Sequence, residues 1–233
     1  MLTPDEIGER LACVRERIAQ AAARALRSAD SVRLVLASKT QPAAAVAAAY
    51  AAGAREFGEN YVQEAAEKRT LLSDFKDIRW HLIGHLQNNK TRQAAANFDL
   101  IQTLDSERLA MTLKRIRPAP FPVLIEVKLG DEAGKSGVAP AAVEQLIEKT
   151  RELVKIQGLM TIPPPTVDSA HARPYFAQLR ELRERLVANT GLELSELSMG
   201  MTEDFEIAIE EGATIVRVGR AIFGERSSQA PIS

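Results

Sequence analysis

The sequence predicts an α/β protein built as a single (β/α)8 barrel of the TIM type with one extra N-terminal helix. Three observations predict it. Short apolar, β-rich runs alternate with helix-compatible segments eight times from end to end, the rhythm of βα units and a parallel sheet. Several runs are almost wholly apolar, Val123-Leu124-Ile125 and Ile215-Val216 among them, as strands covered on both faces should be. The length, 233 residues, suits one α/β barrel domain, here read as 1–233 with a core of about 30–226.

The elements follow in order. An amphipathic pattern over residues 4–28 reads as the first helix. The first strand, 33–37, carries Leu34-Val35-Leu36-Ala37 and leads into Ser38-Lys39-Thr40, then Gln41-Pro42 and an alanine-rich helix. Strands follow at 54–58, 79–83, 100–103, 122–128, 155–160, 193–197 and 214–218. The alanine clusters at 43–54 and 94–96 are helix-forming residues that pack closely on a sheet rather than low complexity. The tail, 227–233, is expected to fray.

Composition narrows the function classes. Hydrophobic residues make up 45%, charged residues 26%, and the net charge is -1, an ordinary globular balance that asks for no nucleic acid. No apolar stretch approaches the ~20 residues that span a bilayer, and the first residues lack a signal-peptide pattern. The single cysteine, Cys13, precludes an intramolecular disulfide. A cytoplasmic address is therefore expected.

In such a barrel the active site lies where the strands end at their C-termini. Lys39 stands at the first of these ends. Partial burial there would disfavour its ammonium form and make the amine a nucleophile, although a lone lysine ordinarily points to water. Strand seven leads into Ser198-Met199-Gly200-Met201-Thr202 and strand eight into Gly219-Arg220-Ala221-Ile222-Phe223-Gly224. Taken singly, each reads as a loop-to-helix turn. Together, in that order, they match the place where barrels hold phosphate, with backbone N–H groups and a short extra helix facing the anion. Arg217, between Val216 and Val218, could turn toward the barrel mouth or form a salt bridge on the rim. Pyridoxal 5′-phosphate (PLP) combines a lysine Schiff base, a phosphate and an Asp or Arg partner at its pyridine nitrogen. His81 and His85 have the spacing of helical metal ligands, but Gly84 and the preceding apolar strand argue against a helix there.

Seven blocks then carry a resemblance: Ser38-Lys39-Thr40; Gly58-Glu59-Asn60-Tyr61-Val62-Gln63-Glu64; Trp80-His81-Leu82-Ile83-Gly84 with Leu86-Gln87 and Asn89-Lys90; Lys135-Ser136-Gly137; Gly158-Leu159-Met160-Thr161-Ile162; Leu197 to Thr202; and Val216 to Gly224. In this order and spacing, over roughly residues 30–226, the chain resembles the pyridoxal phosphate homeostasis protein family, formerly the proline synthetase co-transcribed homologues. The resemblance implies a fold like the N-terminal barrel of alanine racemase, the fold-type III PLP barrel. It also implies a role in keeping PLP and related B6 vitamers in balance.

Carried over by position, the resemblance makes Lys39 the Schiff-base lysine and hence PLP a covalent cofactor. Ser198, Met199, Gly200, Gly219 and Arg220 would form the phosphate cup, Arg217 would partner the pyridine nitrogen, and Asn60 would lie near the ring. His81 is either a second polar group beside Arg217 or the phenolic oxygen, or a satisfied core histidine. Two departures stand out: Lys128 where many relatives have asparagine, and His85 where a proline is frequent. Lys135 reads as a loop lysine that could also react with an aldehyde.

Catalysis is not expected. The second, β-rich domain of alanine racemase, which supplies a catalytic tyrosine, has no counterpart before Ser233, and Tyr50, Tyr61 and Tyr175 fall in helical patterns. Without an acid/base opposite Lys39, deprotonation at an amino acid Cα should be slow. The expectation is a monomer that binds and releases PLP, with apo-PLP enzymes as recipients. The alternatives are a small PLP-dependent racemase or lyase, and a phosphate-binding barrel enzyme without PLP.

Overall fold

The computed structural model describes residues 2–130, 136–164 and 169–224. Helix α1 (Pro4–Arg24) starts behind Thr3, whose hydroxyl accepts from the Glu6 N–H while the Glu6 carboxylate accepts from the Thr3 N–H. This reciprocal box satisfies two donors that a helix start leaves open. The helix ends before the expected residue 28 because Leu26 turns left-handed at φ 56°, bringing the Arg27 N–H onto the Ala22 carbonyl.

Eight parallel strands close into a barrel in chain order: β1 (Arg33–Ala37), β2 (Glu56–Glu59), β3 (Arg79–Leu82), β4 (Leu100–Leu104), β5 (Pro122–Glu126), β6 (Lys155–Met160), β7 (Glu196–Ser198) and β8 (Ile215–Val218). The barrel closes where β8 pairs with β1, Val216 opposite Leu34 and Arg217 opposite Val35. A helix follows each strand: α2 (Ala43–Ala51), α3 (Val62–Leu71), α4 (Thr91–Asn97), α5 (Glu107–Ile116), α6 (Val143–Thr150), α7 (Arg173–Thr190), α8 (Phe205–Glu210) and α9 (Arg220–Phe223). The buried stripe of α1, Ile7, Leu11, Val14 and Ile18, packs α1 against α2, α8 and α9.

Six strands differ from the expected bounds, three of them by two residues or more at one end. β2 begins two positions late because Ala54 is still held in the turn after α2, its N–H on the Ala49 carbonyl. β5 stops at Glu126 because beyond the Val127 N–H bond to the Met160 carbonyl the chain pairs with Val138 instead, with Val138 N–H donating to Glu126 and Lys128 N–H to Val138. β7 pairs with β6 only from Glu196, opposite Gly158.

Alternation along the strands sorts the core. Val35, Leu100, Leu124, Met160 and Ile215 fill the barrel interior, while Leu36, Ile101, Val123, Leu197 and Val216 pack outward under the helices. The two-residue period places Gln102 with Leu100 and Arg217 with Ile215 on the inner face. Truncating Leu124, fully buried, should cost ~2–5 kcal/mol. No helix among the described residues is long and apolar enough to cross a membrane.

Candidate functional site

Lys39 lies two residues beyond β1 and is half-buried. The backbone on both sides of it is held from α3. Lys68, 5% exposed, donates to the Ser38 carbonyl and to Glu59 Oε1, each at 2.7 Å. It also donates to Glu64 Oε1 at 2.7 Å. That same Glu64 oxygen accepts the Thr40 N–H at 2.5 Å, and Ser38 Oγ donates to Glu59 Oε1 at 2.6 Å. Thr40 sits at φ 65°, a conformation that costs a β-branched residue free energy and persists only where the surroundings hold it. Burial pushes the Glu59 carboxyl up to about 7, against the pull of Lys68 and Ser38.

The loops after β7 and β8 meet beside β1. Gly200 has φ 91°, and a Cβ there would lie 2.6 Å from Ala208 Cβ and 2.9 Å from Phe205 Cα. Only glycine lets this loop fold onto the start of α8. A Cβ on Gly219 would come within 2.9 Å of the Ala37 carbonyl oxygen, so glycine here brings the start of α9 against the end of β1. The first N–H groups of a helix have no acceptor inside it. In the β7 loop the Met201 N–H is already taken by Asp204 Oδ1 at 2.6 Å. Burial raises the Asp204 carboxyl, opposed by that bond and by Arg217. Met199 is fully buried in the core with its N–H donated to Ile215, so its side chain and N–H are turned away from the loop surface. Arg220 is exposed and pairs with Glu203 at 2.9 Å.

Arg217 is 3% exposed and turned into the barrel. Its Nη1 donates to Ser198 Oγ at 2.6 Å and its Nη2 to the Thr161 carbonyl at 2.8 Å. Burial lowers its guanidinium to about 10, with Asp204 and Glu126 opposing, so it stays charged near neutrality. Ser198 spends its proton on Gln102 Oε1 at 2.6 Å. Its hydroxyl is therefore committed to the barrel interior and not offered to an anion. His81 is fully buried between Gln102, 2.9 Å from Nδ1, and Glu56 at Nε2. It is a satisfied polar residue linked to Arg217 through Ser198.

Asn60 is half-buried at the end of β2, its backbone in contact with Gly84, where a Cβ would lie 2.4 Å from the Asn60 carbonyl oxygen. Lys128 lines a cavity of about 140 Å³ with Glu126 and Ser136. Ser136 Oγ donates to Glu126 Oε1 at 3.0 Å, whereas buried Glu126 Oε2 has no hydrogen-bond partner among the described residues. Burial raises this carboxyl too. His85 is exposed and lies 3.4 Å from Asp105. Lys135 and the tail 227–233 lie outside the described residues. One expectation is corrected: Tyr50 and Tyr175 are helical, but Tyr61 stands two residues beyond β2 as the N-cap of α3, 62% exposed.

Sequence reasoning missed Gln102, Lys68, Glu126 and Asp204. Gln102 was signalled by a polar side chain inside the apolar run Leu100-Ile101, and Lys68 by its i, i+4 spacing from Glu64. Nothing in the sequence signals the Thr161 carbonyl.

Residues 10–227 match the family model described as alanine racemase, N-terminal domain. The chain is 45% identical over 232 residues to the pyridoxal phosphate homeostasis protein of Pseudomonas aeruginosa, covering 97% of this chain and 99% of that one. It is 46% identical over 226 residues to the protein of the same name from Aquifex aeolicus, covering 94% and 97%. The solved structure of PipY from Synechococcus elongatus with PLP bound superposes with a TM-score of 0.83 at 42% identity, covering 94% of this chain and 100% of that one. Together these matches show that the chain belongs to the pyridoxal phosphate homeostasis protein family.

Proposed function

We propose that this protein holds PLP covalently through Lys39 and gives it up again without sustained chemistry, as part of intracellular B6 homeostasis. The observation that carries the reading is the convergence of a half-buried lysine, two glycine-dependent loops and a buried arginine around the ends of β1, β7 and β8. The residues present fit the cofactor. When bound, PLP supplies an aldehyde that condenses reversibly with an amine, releasing water.

Lys39 is the amine, and the Lys68 cluster holds the backbone on either side of it. The Gly200 and Gly219 backbone, with the first N–H groups of α9 at Arg220, would take the phosphate. Ser198 contributes by accepting from Arg217 at its hydroxyl oxygen rather than by giving its proton to the phosphate. Arg217 would donate to the pyridine nitrogen as a group that keeps its proton, leaving the ring a weak electron sink. Asn60 would lie beside the ring. Release needs only a second amine to displace Lys39.

The competing reading, a racemase or lyase, draws on Glu126, whose buried Oε2 has no partner among the described residues. Two measurements on purified protein decide between them. Borohydride reduction after PLP loading, with peptide mapping, should recover pyridoxyl-Lys39, and loaded protein should pass PLP to an apo-PLP enzyme. Robust turnover of D- or L-amino acids, abolished by Lys39→Ala, would establish the enzyme instead.

A further inference from the structure

Four hydrogen bonds run in one direction through the barrel interior, from Arg217 on β8 through Ser198 on β7, Gln102 on β4 and His81 on β3 to Glu56 on β2. Each assignment forces the next. A guanidinium only donates, so Ser198 Oγ accepts from Arg217. The single Ser198 proton then goes to Gln102 Oε1, 2.6 Å away. That choice turns the Gln102 amide N–H toward His81 Nδ1, which must present a lone pair. The His81 proton therefore sits on Nε2 and is donated to the Glu56 carboxylate. The chain begins at a cation and ends at an anion, and buried hydrogen bonds aligned in this way polarise one another. Were the Gln102 amide reversed, it would donate to Ser198, whose own proton would lose its acceptor in the chain.

The chain of bonds runs among the apolar inner-face side chains Val35, Leu100, Leu124, Met160 and Ile215. We infer that Gln102 and His81 are positioning residues for Arg217: acting through Ser198, they fix which guanidinium N–H groups remain available to a cofactor ring nitrogen. The inference rests on the proposed place of Arg217 at that nitrogen.

The test uses the full chain and three variants. In the chain without cofactor, imidazole 15N spectra should show His81 neutral with its proton on Nε2; a proton on Nδ1 would overturn the chain of bonds. Gln102→Met removes donor and acceptor together. It should raise the Kd for PLP about tenfold, the size of one hydrogen bond to a charged group, and shift the visible band while borohydride still traps Lys39. Arg217→Lys should change the same two readings. If Arg217→Lys changes them and Gln102→Met matches wild type, the positioning role is overturned alone. If wild type forms no Lys39 adduct, the underlying reading fails and the inference falls with it. Should Gln102→Met not fold, Gln102→Glu decides: with acceptors only, it should force a proton onto Nδ1 of His81, and an unchanged Nε2–H tautomer would overturn the proposal.

Discussion

The ammonium of Lys68 donates to the carbonyl of Ser38, the residue before Lys39, across 2.7 Å. The same ammonium holds Glu64, whose carboxylate takes the N–H of Thr40, the residue after it. One buried cation on α3 thus fixes the chain on both sides of Lys39. The segment between is short and carries a left-handed threonine, so the direction of Lys39 depends on a helix remote in sequence.

Lys68→Met should be among the most damaging single substitutions in the chain. It leaves Glu59, fully buried, beside Glu64 without a counter-charge, a loss of ~3–5 kcal/mol. Urea unfolding should register it, with a larger loss at pH 8 than at pH 5, because at low pH the Glu59 carboxyl protonates and needs no cation. A loss below 1 kcal/mol at both pH values would remove the cluster from the account of Lys39.

Glu59 predicts a pH dependence with a definite sign. Its folded carboxyl titrates at about 7 against 4.5 ordinarily, so the folded state holds the proton more tightly than the unfolded one. The stability it contributes is complete below about 4.5 and is lost as pH rises to about 7, on the order of 3 kcal/mol. Glu59→Gln should flatten unfolding free energy across that window. An unchanged slope would show that the carboxyl is ionised throughout.

Lys39→Ala should abolish the visible band of PLP-loaded protein and the borohydride-trapped adduct at position 39. Weak PLP binding should persist, since the Gly200 and Gly219 backbone is untouched. Equilibrium dialysis with PLP checks the second half. Full retention of affinity would mean that the covalent bond contributes little to holding the cofactor.

Gly200→Ala tests the loop after β7. The added methyl meets Ala208 and Phe205 at a backbone with φ 91°, so a loss of ~1–3 kcal/mol is expected from strain. PLP affinity should fall more than tenfold as the loop is pushed off α8. Affinity near wild type would place the phosphate elsewhere.

The sequence by itself determined the strand and helix rhythm, the barrel, and the positions where strands end. These follow from local periodicity: apolar runs such as Leu34-Val35-Leu36 must be buried wherever they lie, and eight of them, each followed by a helix, match the strand count of the closed barrel that forms. Lys39, Gly200, Gly219 and Arg217 were legible because each occupies a strand end or the loop beyond it. The tertiary structure decided the partners. That Ser198 gives its proton to Gln102, 96 residues away, and that Glu126 Oε2 has no partner among the described residues depend on which inner-face side chains meet across a closed barrel, and that Lys68 joins the Gln41 N–H on the Ser38 carbonyl depends on how α3 packs outside it. Alternation tells which face a residue takes, but the partner it meets there is set by register and shear summed around all eight strands, which no local pattern encodes.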